Sequence, residues 1–243
     1  MKMITFAKRC AKEILRDPLT LGFGLGFPLV LLYLLSTIQK NIPASMFEID
    51  VLTPGITVFG LSFMTLFSAT LVAKDRESAL LQRLYTTPLS GVDVILGYML
   101  PILPIAIGQT AICYLAALPL GLTFSVNIVY AIIGIIPMAI FNVALGLLCG
   151  SLLGVKQVSG ICGALLTNLS AWLSGVWFDI ALVGGFFEKV ANVLPFMHAV
   201  ELEKALFLGN FDAVGAHLWP VLIYCISAVA AAVLAFLRQM KKQ

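Results

Sequence analysis

No charged side chain occurs from Val94 to Val155, in the run VILGYMLPILPIAIGQTAICYLAALPLGLTFSVNIVYAIIGIIPMAIFNVALGLLCGSLLGV. A helix needs about 20 apolar residues to cross a bilayer, so this run is about three crossings long and must fold back at least once. The turn-forming sequence GLTFSVN at Gly121–Asn127 is the natural place for the reversal. The run therefore predicts two membrane-spanning helices, at about 95–119 and 128–153.

The rest of the chain repeats this pattern. Further charge-free runs predict spans at about 19–38, 52–73, 157–178 and 218–237. The whole sequence is 60% hydrophobic and only 11% charged, whereas a soluble domain has about 25% charged residues. Continuous apolar runs indicate helices, because strands of a membrane barrel alternate apolar and polar residues. We therefore predict an all-α integral membrane protein, with six transmembrane helices in a single domain over residues 1–243.

The distribution of lysine and arginine predicts the orientation. Of the 15 basic residues, all but Lys40, Lys189 and Lys204 fall on the side that six spans give to both termini and to two loops. Basic residues are retained on the cytoplasmic side of a membrane. Both termini of this multi-pass protein are therefore expected in the cytoplasm, with the spans in the cell membrane.

Two segments outside the spans are expected at the membrane surface. Residues 1–17 predict an amphipathic interfacial helix. Its apolar face consists of Ile4, Ala7, Ala11, Ile14 and Leu15, and Lys8, Lys12 and Arg16 lie among its other residues. The segment 179–217 is predicted to be extracellular and is interrupted by Gly184, Gly185 and Pro195. It can either re-enter the membrane or form two short interfacial helices.

The spans offer little chemistry. By these bounds they contain no ionisable residue other than tyrosine and cysteine, and Asp93 and Asp179 lie at span edges. An ion-coupled carrier usually places such groups inside the bilayer, so that class is disfavoured but stays open. The chain has only two histidines, His198 and His217, and no P-loop motif. A membrane enzyme is a weaker alternative still, and no catalytic, metal-binding or cofactor-binding residue and no nucleic-acid partner is predicted.

One charged stretch, KDRESALLQRLYTTPLS at Lys74–Ser90, stands between the second and third spans on the predicted cytoplasmic side. Leu80, Leu81 and Leu84 recur at near-helical spacing. The pattern is typical of a helix that docks into a groove of another protein, with its leucines inward and its charges at the rim. A connector that merely lies on the membrane would show the same pattern, and both interpretations stay open here.

Four passages, in order, resemble the type-2 ATP-binding-cassette (ABC) transporter permeases of the export type. Asp75–Ser90 reads DRESALLQRLYTTPLS and resembles the family pattern dREsGtlerL…tPls. Ile14–Leu35 is similar to the family's entry helix and first span, and Leu52–Thr65, with LTPGI, to the start of its second span. Val193–Asn210, VLPFMHAVELEKALFLGN, resembles the passage before its last span. Ala79 and Gln82 depart from the pattern, where glycine and glutamate are usual.

The resemblance implies half of a transporter. Two permease subunits, as a homodimer or a close heterodimer, would enclose the pathway in the lipid bilayer, and two separate ABC ATPase subunits would bind ATP and Mg²⁺. The segment 74–90 would be the coupling helix, with Glu77, Leu81, Arg83 and Leu84 in contact with the ATPase. In the family the segment 179–217 dips back into the outer leaflet and caps the pathway.

The resemblance also implies which residues line the pathway, because the second and fifth spans face it in the family. The residues are Phe59, Phe63, Met64, Phe67, Thr167, Asn168, Ser170, Trp172 and Trp177. This lining is apolar and aromatic, with a few hydroxyls and one amide. We therefore expect export of a hydrophobic or amphiphilic substrate, such as a drug, a lipid or a membrane-active peptide.

Overall fold

The structure is a computed structural model that describes residues 2–41, 47–78 and 90–240. Those residues form helices and no strand. The helices are α1 (Lys2–Leu15), α2 (Pro18–Leu21), α3 (Phe27–Asn41), α4 (Ile49–Gly60), α5 (Ser62–Glu77), α6 (Gly91–Ala117), α7 (Asn127–Gly134), α8 (Ile136–Leu152), α9 (Val155–Val158), α10 (Thr167–Leu173), α11 (Ile180–Val183), α12 (Gly185–Val193), α13 (Pro195–Leu208) and α14 (Phe211–Met240). Wider π-helical turns at Gly22–Gly26 and Ser159–Leu166 continue into α3 and α10. The prediction of an all-α protein is confirmed.

Five stretches of helix in the described residues are long and apolar enough to cross a membrane. They are Gly22–Asn41, Ile49–Glu77, Gly91–Leu120, Asn127–Leu152 and Phe211–Gln239. Each overlaps one of the predicted spans, with bounds that differ by a few residues. The second of them is divided at Leu61, between α4 and α5, and the fourth at Ile135, ahead of Pro137.

The remaining predicted span, 157–178, differs from the other five. It is helical from α9 through the π-turn to α10, but it ends at Leu173, five residues short of the predicted bound. Gly175 follows in a left-handed conformation with φ of 73°, which an α-helix does not continue through. Lys156, Gln157 and Asn168 interrupt the apolar sequence of this stretch. A sixth crossing stays a prediction.

Two glycines let α5 and α8 approach until their backbones touch. A Cβ atom at Gly146 would lie 2.3 Å from the carbonyl oxygen of Thr65, and one at Gly150 would lie 2.4 Å from that of Ala69. No side chain fits into either space. Close approach at small residues is how membrane helices gain packing contacts without a hydrophobic driving force. Thr65 reinforces the pair, since its hydroxyl donates to the backbone carbonyl of Asn142 at 3.0 Å.

The N-terminal helix α1 packs against α6. Phe6, Ala7, Cys10 and Ile14 are buried, and the Phe6 ring meets Tyr98 edge to face at 4.8 Å. The residues of the predicted apolar face therefore differ in burial, because Ala7 and Ile14 are buried in the bundle whereas Ile4 and Leu15 are exposed. Burial raises the pKa of the Cys10 thiol to about 12.

The segment 179–217 contains three helices ahead of α14. Asp179 caps α11 by accepting a hydrogen bond from the backbone amide of Ala181 at 2.9 Å. Gly184 and Gly185, both with positive φ, turn the chain from α11 into α12. The longest of the three, α13, packs against α4, α7 and α14, so much of this predicted extracellular segment belongs to the bundle.

Candidate coupling site and pathway

A buried ionic cluster lies at the end of α5, directly before the predicted coupling segment. The Asp75 side chain is only 2% exposed. Both of its oxygens accept from the Arg9 guanidinium at 2.6 Å, and the Tyr98 hydroxyl donates to Oδ2 at 2.7 Å. Two parallel hydrogen bonds to one carboxylate fix both distance and angle. Asp75 thereby raises the pKa of Arg9 and fastens α5 to α1 and α6.

Arg76 fastens α5 to the end of α8. Its guanidinium donates to the backbone carbonyls of Ser151 and, at 2.5 Å, of Leu153. The last carbonyls of a helix have no partner within the helix, so a guanidinium there supplies the missing donors. The Ser151 carbonyl also accepts from the side-chain amide of Gln239 in α14. The ends of three helices thus meet at Arg76.

Glu77 is a predicted ATPase contact, and here it bonds to the start of α9. Its exposed carboxylate accepts from the backbone amide of Val155 at 2.9 Å. An acidic side chain stabilises the unpaired amides at a helix start. The other predicted contacts, Leu81, Arg83 and Leu84, lie outside the described residues.

The sequence predicts that the charges of Lys74–Ser90, Asp75 and Arg76 among them, lie at the rim of a docking helix, and the structure corrects this prediction for Asp75. Asp75 is buried, because Arg9 supplies the countercharge and Tyr98 another donor. The signal that could have revealed it was the position of Asp75 at the end of an apolar span, where a carboxylate requires a partner. Among the described charged residues of this stretch, Lys74, whose side chain is 51% exposed, and Glu77 stay largely open to solvent.

The predicted pathway residues of the second span pack inward. The Phe59 ring is buried and lies 6.0 Å from Phe63 and 5.9 Å from Trp177, measured between ring centres. Phe67 is also buried and fills the space above Gly24, where a Cβ atom would lie 2.2 Å from its ring. These rings join the second span to the first span and to the residues just after α10.

The predicted pathway residues of α10 are more open. The Thr167 hydroxyl donates to the carbonyl of Cys162 at 3.0 Å, and the Asn168 amide donates to that of Ala164 at 2.8 Å. Asn168 is exposed, and Trp172 is 49% exposed. The nine predicted lining residues therefore do not form one surface within a single chain. Phe59, Phe63 and Phe67 face the bundle, and Asn168 and Trp172 face away from it.

A buried acid, Glu203 of α13, was missed from the sequence. It is 1% exposed, and its Oε1 accepts from the Tyr114 hydroxyl of α6 at 3.2 Å. Burial raises the pKa of this carboxyl well above its ordinary value. Glu203 was overlooked because the segment 179–217 was predicted to be extracellular. Its helical spacing from buried Val200 and Phe207 was the available signal.

The two histidines, which the sequence left as isolated residues, lie together. Their Nδ1 atoms are 3.1 Å apart, between α13 and α14. His198 Nε2 is 2.8 Å from the carbonyl of Asn192, which can only accept, so His198 donates there. In the described part of the chain, no group of three histidine, cysteine or acidic residues is placed to hold a metal ion.

Comparison with known proteins extends the resemblance drawn from the motifs. Residues 1–208 match the model of the ABC-2 type transporter family. Two relatives, from Escherichia coli K12 and from Escherichia coli O157:H7, are each named probable multidrug ABC transporter permease YbhR. Each is 24% identical over 204 residues, which is 83% of this chain and 55% of the relative. The chain thus spans about half the length of the curated relatives it matches. The family match covers most of the chain, and the long apolar helices agree with it, so this multi-pass membrane protein belongs to the ABC-2 type transporter family, as an ABC transporter permease.

Proposed function

We propose that this permease is the membrane subunit of an ATP-driven exporter in the cell membrane, with both termini cytoplasmic. A separate ABC ATPase would dock on the segment 74–90. The observation that carries the proposal is the set of bonds made by Asp75, Arg76 and Glu77, which tie the last turn of α5 to α1, α6, α8 and α9. A movement of the segment that follows α5 would therefore be transmitted to several helices at once.

The proposed substrate is hydrophobic or amphiphilic. The cluster of Phe27, Phe59, Phe63 and Trp177 is uncharged and aromatic, and Phe27 at its edge is 39% exposed. Such side chains suit apolar molecules through contact area and ring packing. The curated relatives are named as multidrug permeases. Export, as opposed to uptake, is proposed from the resemblance of the motifs to export-type permeases.

The proposed assembly contains a second permease subunit and the ATPase. The exposed side chains of Asn168 and Trp172, on a predicted interface span, are available to line a pathway shared with that subunit. The test is affinity capture from native membranes that hold two differently tagged copies of the chain. We expect one tag to capture the other copy, or a close relative, together with a P-loop ATPase. Transport-active material that contains a single permease copy and no ATPase would contradict the proposal.

One observation favours a second candidate, an ion-coupled carrier. That class requires a buried ionisable group, and Glu203 is such a group. Because the Glu203 Oε1 accepts from the Tyr114 hydroxyl and so fixes α13 to α6, we assign Glu203 a structural part.

The variant Glu203→Gln separates the two candidates. Glutamine keeps an oxygen for the Tyr114 hydroxyl and carries no proton to release. We expect transport close to the wild-type level, with Glu201→Gln, which changes the exposed partner of Lys204, as the control. Loss of transport in Glu203→Gln alone, with normal assembly, would favour ion coupling.

A further inference from the structure

The second span bends where α4 ends and α5 begins. The backbone amide of Leu61 donates to the carbonyl of Val58 at 3.1 Å, three residues back, whereas a regular α-helix would pair it with Thr57. The amide of Met64 likewise donates to Leu61, three residues back, at 2.9 Å. The bend therefore releases the Thr57 carbonyl from the helix.

Gln109 of α6 takes up the released carbonyl. Its side-chain amide donates to the Thr57 oxygen at 3.4 Å, and the side chain is fully buried. A Cβ atom at Gly60 would lie 2.1 Å from the Gln109 nitrogen, so the glycine makes the approach possible. A side chain inserted into the backbone ladder is a recognised cause of a sharp kink. Pro54, which has no backbone amide to donate, weakens the same helix about two turns earlier.

The bend leaves two polar atoms without partners. The Gln109 oxygen Oε1 and the Ser62 hydroxyl are both buried and make no hydrogen bond within the described residues. Buried polar atoms in folded proteins nearly always have a partner, and one that lacks it is costly. One of these atoms is an acceptor and the other can donate, and both lie at the same bend. Their presence points to a second arrangement of the bend in which they are satisfied.

The two halves of the span share α6 as a neighbour, but their other neighbours differ. On one side of the bend, α5 is fixed to α8 through Thr65 and the glycine contacts, and to α1 through Asp75. On the other side, α4 packs against α3 and α13 and carries Phe59 of the aromatic cluster. A change of angle at Leu61 would therefore move the predicted coupling end relative to the predicted pathway and to α13.

We propose that Gln109 is a positioning residue for transport, whose amide holds the joint between α4 and α5 at one of two angles. The inference rests on the proposed function and deepens it, since it names where the second span turns when the ATPase moves the segment after α5. In the second arrangement the Gln109 amide leaves the Thr57 carbonyl, and the Ser62 hydroxyl and Gln109 Oε1 gain partners.

The test uses the complete complex of permease and ATPase in lipid vesicles. Gln109→Met keeps the length of the side chain and removes its amide. We expect the complex to assemble and hydrolyse ATP, with a severalfold loss of substrate moved per ATP. The control is Thr110→Val, which removes a buried hydroxyl that bonds only within α6, to the carbonyl of Ala106. We expect its transport-to-ATP ratio to be unchanged.

Ser62→Ala decides the matter if Gln109→Met does not assemble. This variant removes the unpaired hydroxyl without adding volume, so a fixed bend would tolerate it with no change in the transport-to-ATP ratio. A joint that alternates would lose the bond made in its second arrangement, and the ratio would fall. An unchanged ratio in the assembled Gln109→Met, or in Ser62→Ala, would overturn the inference. Absence of ATP-driven transport in the wild-type complex would instead refute the proposed function.

Discussion

Replacing Arg9 with methionine is expected to destabilise the protein by about 3 kcal/mol, at the lower end of the range for breaking a buried ion pair. The substitution leaves the Asp75 carboxylate, 2% exposed, with Tyr98 as its remaining partner. Asp75→Asn should cost less, about 1–2 kcal/mol, because the Arg9 side chain is 39% exposed and can turn to water. Unfolding of each variant in detergent measures the order of the two losses.

The control for this pair of variants is Lys74→Gln. Lys74 lies next to Asp75 in sequence, but its contact with Asp17 is 3.9 Å long and its side chain is 51% exposed. Exposed pairs of this kind contribute at most about 1 kcal/mol. A larger loss for Asp75→Asn than for Arg9→Met, or equal losses in all three variants, would show that burial of Asp75 does not set the stability of this end of the bundle.

Replacing both Leu81 and Leu84 with aspartate is expected to abolish transport and to release the ATPase. Burial of a leucine contributes about 1.5–3 kcal/mol, so two losses weaken docking by about two to four powers of ten. A buried, unpaired carboxylate adds a desolvation penalty. Insertion and dimer formation should survive, because the apolar spans are unchanged. The measurement is transport in vesicles together with copurification of the ATPase.

The matched control is Gln82→Asp, which places one carboxylate in the same segment but on its predicted rim. It should leave transport and ATPase binding intact. Normal transport with normal ATPase retention in the double variant would make Lys74–Ser90 an inert connector. The proposal that force enters the permease there would then be wrong.

The helical architecture was readable from the sequence because exclusion of charge is a local property. Each long run without charged residues, such as Val94–Val155, by itself indicates that this part of the chain lies in the membrane. The spacing of Gly146 and Gly150 by four also places two small residues on one face of a helix, but it does not name α5 as their partner. Mixed polarity near Lys156 and Asn168 is the reason why the span at 157–178 stands apart from the other five.

The ionic and polar contacts were not readable, because they join residues far apart in the chain. Asp75 meets Arg9 across 66 positions, and Glu203 meets Tyr114 across 89. The residues next to Asp75 and Glu203 in the sequence do not indicate that their partners lie on another helix. The bend at Leu61 was not readable from the sequence either, since Gln109, whose side chain donates to the Thr57 carbonyl there, belongs to the next span.

The central claim is that a partner ATPase drives this permease, and uptake of a fluorescent amphiphilic dye into inside-out vesicles tests it most directly. Vesicles that hold the permease with its captured ATPase should accumulate the dye when ATP is added. Accumulation should disappear when the P-loop lysine of the ATPase is replaced with alanine, and an imposed proton gradient without ATP should drive none. Accumulation driven by the proton gradient in vesicles that hold the permease alone would contradict the claim.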